Sequence, residues 1–410
     1  MSTVTKRVVI VGGSIAGLMH GVVLKSLGYD VCIVEARHPD QLKAQAAGLS
    51  LGPSAKSLME TFLPELDTES YSMSTATAQF LATDGTIISE NKTSIPVVCS
   101  TWGLVFEHLK NEFLKPVSGS GEVQYLTGKR ATSVQDSDDV VTVNLSGFDE
   151  DLVKTFSAHL VIIADGAYST IRNQLTPGVE PKYAGIIAWR GNVPESRVPP
   201  ELKAVFDGKL LMFRAGGSYL IAYLTPGPNG NAMGDRLLDW VWYDKCDVDS
   251  QDFQETMTDK SGRKHRVTVP RGALSEAVWA KRVERARAVL SSPWSEMVTT
   301  SESPLVTAIT GFESDKAAFF GGKLLLAGDA FIQFRPHLGS SCNLPALQAL
   351  TLLKILNKEL SLIDWEDQML SHGKEFAMRS IAAGQFGMTG TYPEGYVPLY
   401  AMKKADQTSA

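Results

Sequence analysis

The residues of this chain that could do chemistry cluster at the ends of short apolar runs. Gly12-Gly13-Ser14-Ile15-Ala16-Gly17 follows the β-branched run Lys6–Val11 and opens an apolar-periodic stretch that reaches Leu27 and stops at Gly28. A strand, a tight glycine turn and a helix start make a phosphate site, because the first helical N–H groups lack partners and the positive dipole end faces the ligand. The next run, Asp30–Glu35, closes on a carboxylate 23 residues after Gly12. A carboxylate there can accept hydrogen bonds from ribose hydroxyls. Ser14 stands where a GxGxxG turn has its middle glycine. Its β-carbon crowds a pyrophosphate, while its hydroxyl can bond a phosphate oxygen. The turn alone does not separate NAD from FAD, nor either from a glycine-rich turn with no ligand.

Two later segments repeat the arrangement of a buried strand ending in Gly and Asp. His159–Ala164 runs into Asp165-Gly166-Ala167-Tyr168-Ser169-Thr170-Ile171-Arg172, and Lys323–Ala327 runs into Gly328-Asp329-Ala330, with Pro336 seven residues beyond Asp329. The loop Phe334–Asn343 then precedes the helical pattern Leu344–Leu356. Unpaired N–H groups at Leu338, Gly339, Ser340 and Ser341 could face a ring carbonyl there and stabilise negative charge. His337 lies in this loop, and its titration range suits base work on a phenol; a structural hydrogen bond that fixes the loop is the competing role.

Taken in order, these three segments resemble the class A flavoprotein monooxygenases, the p-hydroxybenzoate hydroxylase-like group. Further blocks, IIAWRGNVPE around Trp189, RLLDWVWY over 236–243, MTDKSGRKHRVTVPRGAL over 257–274 and Arg335-Pro336-His337, are similar to the 2,6-dihydroxypyridine 3-monooxygenase-like branch across nearly the whole chain. The resemblance implies bound FAD, with Asp329 on a ribityl hydroxyl, the Asp165–Arg172 segment near the pyrophosphate and the nicotinamide approach, Ala36 beside Glu35 at the adenosine end, and Arg37 reaching the adenosine or closing over the flavin; a solvent-facing Arg37 is the competing reading. It implies NADH or NADPH as a transient co-substrate over the same flavin, and oxygen transfer through a C4a-hydroperoxide to an electron-rich phenol, hydroxybenzoate or hydroxypyridine, with or without decarboxylation. Departures at LGSSCN after His337, and at Asp239 and Asp244, fall in the part that would set the substrate. An epoxidase or ring-rearranging oxygenase of secondary metabolism, and a non-catalytic FAD redox protein, are the alternatives.

The elements that must position these groups read as an α/β (α+β) fold. A Rossmann-like FAD-binding domain carries an inserted, mostly antiparallel β-sheet substrate domain and a C-terminal helical region. The expected boundaries are 1–180 for the first part of the FAD domain, with some strands of the substrate domain, 181–300 for the sheet domain, 301–390 for the return and C-terminal helices, and 391–410 for a polar tail. Strand-like segments at Gly185–Trp189, Lys209–Phe213, Ser218–Leu224 and Leu238–Tyr243 carry the inserted sheet. Trp189, Met212, Tyr219 and Tyr223 are the expected substrate contacts, with Arg190 and Arg214 able to meet a carboxylate or to form surface ion pairs. Trp240 and Trp242 read as packing, and the charge run Lys281–Arg287 as a solvated face.

Composition sets the limits. The 410 residues carry a net charge of −6 and are 44% hydrophobic, which speaks against nucleic acid and anionic membranes as partners. Cys32, Cys99, Cys246 and Cys342 are isolated, which suits reduced thiols in a cytoplasmic location and offers no metal site. MSTVTKR lacks the apolar core of a signal peptide, and no run approaches a membrane span. Whether the chain forms a homodimer is left open.

Overall fold

The computed structural model describes residues 6–38, 47–117, 119–147, 154–339 and 341–398. Val8, Val9 and Ile10 in the first strand, Arg7–Val11, and Val31 and Ile33 in the second, Asp30–Val34, are buried on both faces. Continuous β-branched runs of this kind belong to a parallel sheet covered by helices. Arg7–Val11 pairs in parallel with Asp30–Val34 on one side and with Leu160–Ile163 on the other, and Leu160–Ile163 pairs in parallel with Leu324–Leu326. The three Gly/Asp segments therefore leave the same carboxyl edge of one sheet. That is the edge at which open α/β sheets bind ligands.

A second sheet of ten strands, counted over the described residues, is mostly antiparallel. Its centre is Lys182–Pro194, Leu237–Lys245, Ser218–Thr225 and Lys209–Ala215, and it also takes Gly48–Leu51, Met73–Leu81 and Ile87–Thr101 from the first part of the chain. Leu305–Glu313 pairs with Lys182–Pro194, so the sheet continues past the boundary expected at 300. The main-chain hydrogen bonds of that strand decide its membership, and composition does not reveal them.

Period-2 alternation divides this sheet into two faces. Ile187, Trp189, Leu211, Phe213, Leu220, Trp240 and Trp242 form a core on the outer side. Ile186, Ala188, Tyr219, Ile221, Val241 and Tyr243 form a smaller cluster on the side facing the parallel sheet. The helix Leu362–Thr389 packs against this inner face, where Gly387 leaves room for Tyr219; a β-carbon at Gly387 would lie 2.7 Å from the Tyr219 ring. No helix among the described residues is long and apolar enough to cross a membrane.

Candidate functional site

The glycine turn is shaped by contacts that a side chain would break. Gly12 has φ +105°, and a β-carbon on it would stand 2.2 Å from Ala164 O; one on Gly17 would stand 1.9 Å from Gly12 O. One on Gly13 would meet the Tyr125 hydroxyl at 2.5 Å, and that hydroxyl donates to Gly13 O at 2.6 Å. Ser14 caps the helix Ile15–Ser26 in an extended conformation, and its hydroxyl makes no capping bond. Ile15 and Ala16 begin that helix, beside Gly328, where a β-carbon would lie 2.9 Å from the Ala16 side chain.

Glu35 is more occupied than its position in the sequence suggests. One carboxylate oxygen accepts from Gly13 N at 2.9 Å, and the other from Arg37 N at 2.8 Å and Arg37 Nε at 2.9 Å. Burial acts to raise its pKa, but the Arg37 guanidinium and the two N–H donors outweigh that and hold it below the usual carboxylate range. Glu35 thus braces the turn itself, and Oε2, which carries one N–H, keeps further acceptor capacity.

Gly12, Ser14, Glu35, Ala36, Arg37, Asp165 and Gly166 line one cleft of about 380 Å³. Tyr168 and Thr170 of the Asp165–Arg172 segment line it too, with Lys129 and Arg130, which no sequence motif singles out. The only available signal was Gly128-Lys129-Arg130, a basic pair at a strand start. Asp165 stands deep in the cleft, yet its surface is open to it. Crowding by the surrounding protein pushes its pKa up to about 6, against the pull of Ser169, Arg172 and Arg130.

Arg172 ties two of the motif segments together. It is fully buried, donates from Nη2 to Ala167 O at 2.7 Å and from Nη1 to Ala330 O at 3.4 Å, and lies 4.0 Å over the Phe312 ring. The turn at Gly328 is fixed from behind by Gln348, whose Oε1 accepts from Gly328 N at 2.8 Å and whose Nε2 donates to Leu326 O at 3.0 Å. Asp329 is held there half-buried, with no hydrogen-bond donor among the described residues. Desolvation pushes its carboxyl up to about 6. A deep carboxyl without a donor, an unused N-cap hydroxyl and a glycine cradle at a helix start together fit a dinucleotide with hydroxyls along its length.

Beyond Asp329 the chain turns at Pro336–Leu338, and Gly339 is left-handed at φ +66°. Gly339 O accepts from Ser50 N at 2.9 Å. Gly339 N–H closes on Pro336 O at 2.9 Å, so it is not the outward donor expected of it. Ser341 is exposed, and Ser340 lies outside the described residues.

An inner pocket of about 80 Å³ lies between this turn and the inner face of the large sheet. Pro336, His337, Leu338 and Gly339 cover it, Leu210, Ile221, Val241, Tyr223 and Tyr243 form its floor, and Arg190 brings the cation. Strand parity puts Arg190 on this face because its neighbour Trp189 faces the other way.

Several expected substrate contacts are placed differently. Trp189 belongs to the outer core, with the Arg282 guanidinium 4.3 Å over its ring; an alternating strand cannot send adjacent residues to one face. Met212 packs against the inner-face cluster but is not among the residues lining the pocket. Tyr219 is buried with its hydroxyl 2.5 Å from His337 Nδ1. Of the expected aromatics, Tyr223 lines the pocket. Arg214 donates to Gly387 O at 2.9 Å and Phe386 O at 2.8 Å, so it caps the C-terminal helix and does not enter the pocket. His337 is poorly suited to act as a base. Desolvation, and then Arg335, push its pKa down to about 3, and its Nε2 is buried against Gly384 without a partner.

The charge run Lys281–Arg287 is not all solvated. Arg282 is buried against buried Asp244 at 2.5 Å, and Arg285 reaches Asp244 at 3.0 Å. Trp240 and Trp242 are fully buried in the outer core, their indole N–H groups donating to Ser301 at 2.7 Å and Ser218 at 3.2 Å.

The chain is similar to known proteins over most of its length. Residues 183–311 match the family model described as FAD binding domain-like. The chain is 28% identical over 382 residues to 2,6-dihydroxypyridine 3-monooxygenase of Paenarthrobacter nicotinovorans, covering 92% of this chain and 90% of that protein. The solved 2,6-dihydroxypyridine-3-hydroxylase of Arthrobacter nicotinovorans superposes with a TM-score of 0.82 at 25% identity, covering 96% of each chain. An FAD complex of Klebsiella pneumoniae HpxO, 17% identical over 98% of this chain and 94% of its own, shares the fold at a TM-score of 0.70.

Proposed function

We propose that this chain, which belongs to the class A FAD-dependent monooxygenases, hydroxylates a small electron-rich aromatic ring of the phenol, hydroxybenzoate or hydroxypyridine type, using NAD(P)H and O2. The supporting observation is the inner pocket: an apolar floor with one arginine, Arg190, roofed by the turn that follows Asp329. Bound FAD, once reduced by NAD(P)H, supplies the activation of O2.

The remaining tasks fall to residues of this chain. The Gly12–Gly17 turn would hold the pyrophosphate at the helix start, with Asp165 and Gly166 alongside. Glu35, Ala36 and Arg37 would hold the adenosine end, and Asp329 would take a polyol hydroxyl. Leu338 and Ser341 would border the ring of the cofactor. Arg190 would meet an ionised hydroxyl or a carboxylate on the substrate ring, because an arginine fork favours the anionic form of an oxygen acid. Tyr223 and Tyr243 would orient the ring on the Ile221 and Val241 floor. The sheet below and Pro336–Gly339 above keep bulk water out. His337 would act as a positioning residue through Tyr219. The need for NAD(P)H is met in the cytoplasm, where we place the enzyme.

A panel of hydroxypyridines, phenols and hydroxybenzoates tests the reading. At least one is expected to stimulate NAD(P)H oxidation and to give a product heavier by one oxygen on the ring. Coenzyme oxidation that no ring stimulates, or oxygen delivered to an alkene instead, would overturn it.

A further inference from the structure

The proposed reaction needs a nicotinamide dinucleotide, yet the sequence holds a single glycine turn of the dinucleotide type, at Gly12–Gly17. The coenzyme then has no glycine turn of its own to hold its phosphates. The chain as a whole is acidic, at −6, but Lys260, Arg263, Lys264 and Arg266 put four cations within seven residues. All four are exposed, and none forms an ion pair with another described residue.

This basic segment is a built turn. Asp259, the acid beneath it, is wholly engaged: one oxygen accepts from Ser261 N at 2.8 Å, Ser261 Oγ at 2.6 Å and Arg263 N at 3.0 Å, and the other meets His265 Nε2 at 2.7 Å. Lys260 N donates to Ala273 O at 2.9 Å, and Thr258 bridges Lys264. The one local carboxylate therefore organises the turn and leaves the cations to solvent.

The turn also abuts the cleft. Arg266 lies 4.2 Å over the ring of Tyr168, which lines the cleft beside Asp165, Gly166 and Arg37. The same segment continues to Thr268–Val269, paired with the large sheet, and to Arg271, whose guanidinium feels the charge of Asp239.

We propose that the turn Lys260–Arg266 docks the phosphates of the external nicotinamide dinucleotide at the lip of the flavin cleft. A fixed cluster of unpaired cations raises the local concentration of a polyanion and speeds its capture, and salt screens the effect. The proposal rests on the monooxygenase reading for the identity of its ligand.

The test uses the FAD-loaded enzyme and the variant Lys260→Glu/Arg263→Glu/Lys264→Glu, with Lys260→Gln/Lys264→Gln as a milder second variant. Binding of NADP+ and NAD+ is measured by calorimetry, and the KM of each reduced coenzyme by ring-stimulated oxidation. Charge reversal is expected to weaken coenzyme binding roughly tenfold and to flatten its salt dependence, the milder variant by less, with flavin content and the KM for the ring unchanged. Loss with both coenzymes supports docking of the pyrophosphate, and loss with NADP+ alone supports docking of the 2′-phosphate. Unchanged affinity for both overturns the proposal. A wild-type enzyme that oxidises neither coenzyme with any ring defeats the parent reading instead, while the calorimetry still reads the turn.

Discussion

The Tyr219 hydroxyl sits 2.5 Å from His337 Nδ1, and the other ring nitrogen of His337 is closed off by Gly384 on the C-terminal helix. With burial pushing its pKa down to about 3, this histidine stays neutral across the working range. A histidine whose folded pKa lies below its ordinary value favours unfolding as pH falls below that ordinary value towards the folded one, and adds nothing to the pH dependence above it. His337→Asn should therefore leave the pH profile of hydroxylation between about 6 and 9 unchanged, because no proton on His337 titrates there. It should cost about 1–3 kcal/mol of stability through the buried Tyr219 hydroxyl left without its partner, read as a fall in Tm.

Asp329 carries a trade between stability and binding. Its folded pKa, raised to about 6, exceeds the ordinary carboxyl value, so the folded apoprotein loses stability as pH climbs from the ordinary value through about 6. Asp329→Asn should stabilise the apoprotein at pH 7 by about 1–2 kcal/mol, a figure reduced for the partial exposure of the carboxyl. The same change should weaken FAD retention at least severalfold. Urea titration and flavin release by dialysis read the two arms, and a variant that loses stability while keeping its flavin would refute the assignment.

Arg190 should discriminate rings by charge. Arg190→Gln is expected to raise the KM for an anionic ring about tenfold or more, the worth of one charge-assisted hydrogen bond, and to change that for a neutral analogue much less. Equal losses for both would mean that Arg190 shapes the sheet and does not read the substrate.

The outer face of the sheet should matter for folding alone. Asp244→Asn leaves buried Arg282 without its countercharge and should cost about 3–5 kcal/mol in denaturant unfolding. Trp189→Phe should leave the KM for every ring unchanged. A shift there would return Trp189 to the site.

The parallel sheet was readable because burial on both faces writes itself as unbroken apolar runs such as Val8–Val11 and Leu160–Ile163, each ending in a Gly/Asp segment. The inner pocket was harder to read. Trp189 and Arg190 are adjacent in a strand, and the letters alone do not say which of two apolar faces is the cleft. Pairing with Trp242 and Val241 decides it. Arg282 looked like one cation of a solvated run because its partner Asp244 is distant in sequence. Lys129 and Arg130 reach the cleft only through the fold.

The helix Leu362–Thr389 has a consequence for how such a pocket can diverge. Ser380 holds Arg335 O, Gly384 abuts His337, Gly387 abuts Tyr219, and Arg214 clamps the helix end to the sheet. The turn over the inner pocket is therefore suspended from a helix that supplies none of the residues lining that pocket. A methyl group added at Gly384 would press the imidazole towards the ring and lower that roof. Under the proposed function, drift at this distant helix would change the size of ring the pocket accepts while every residue lining the pocket stays the same.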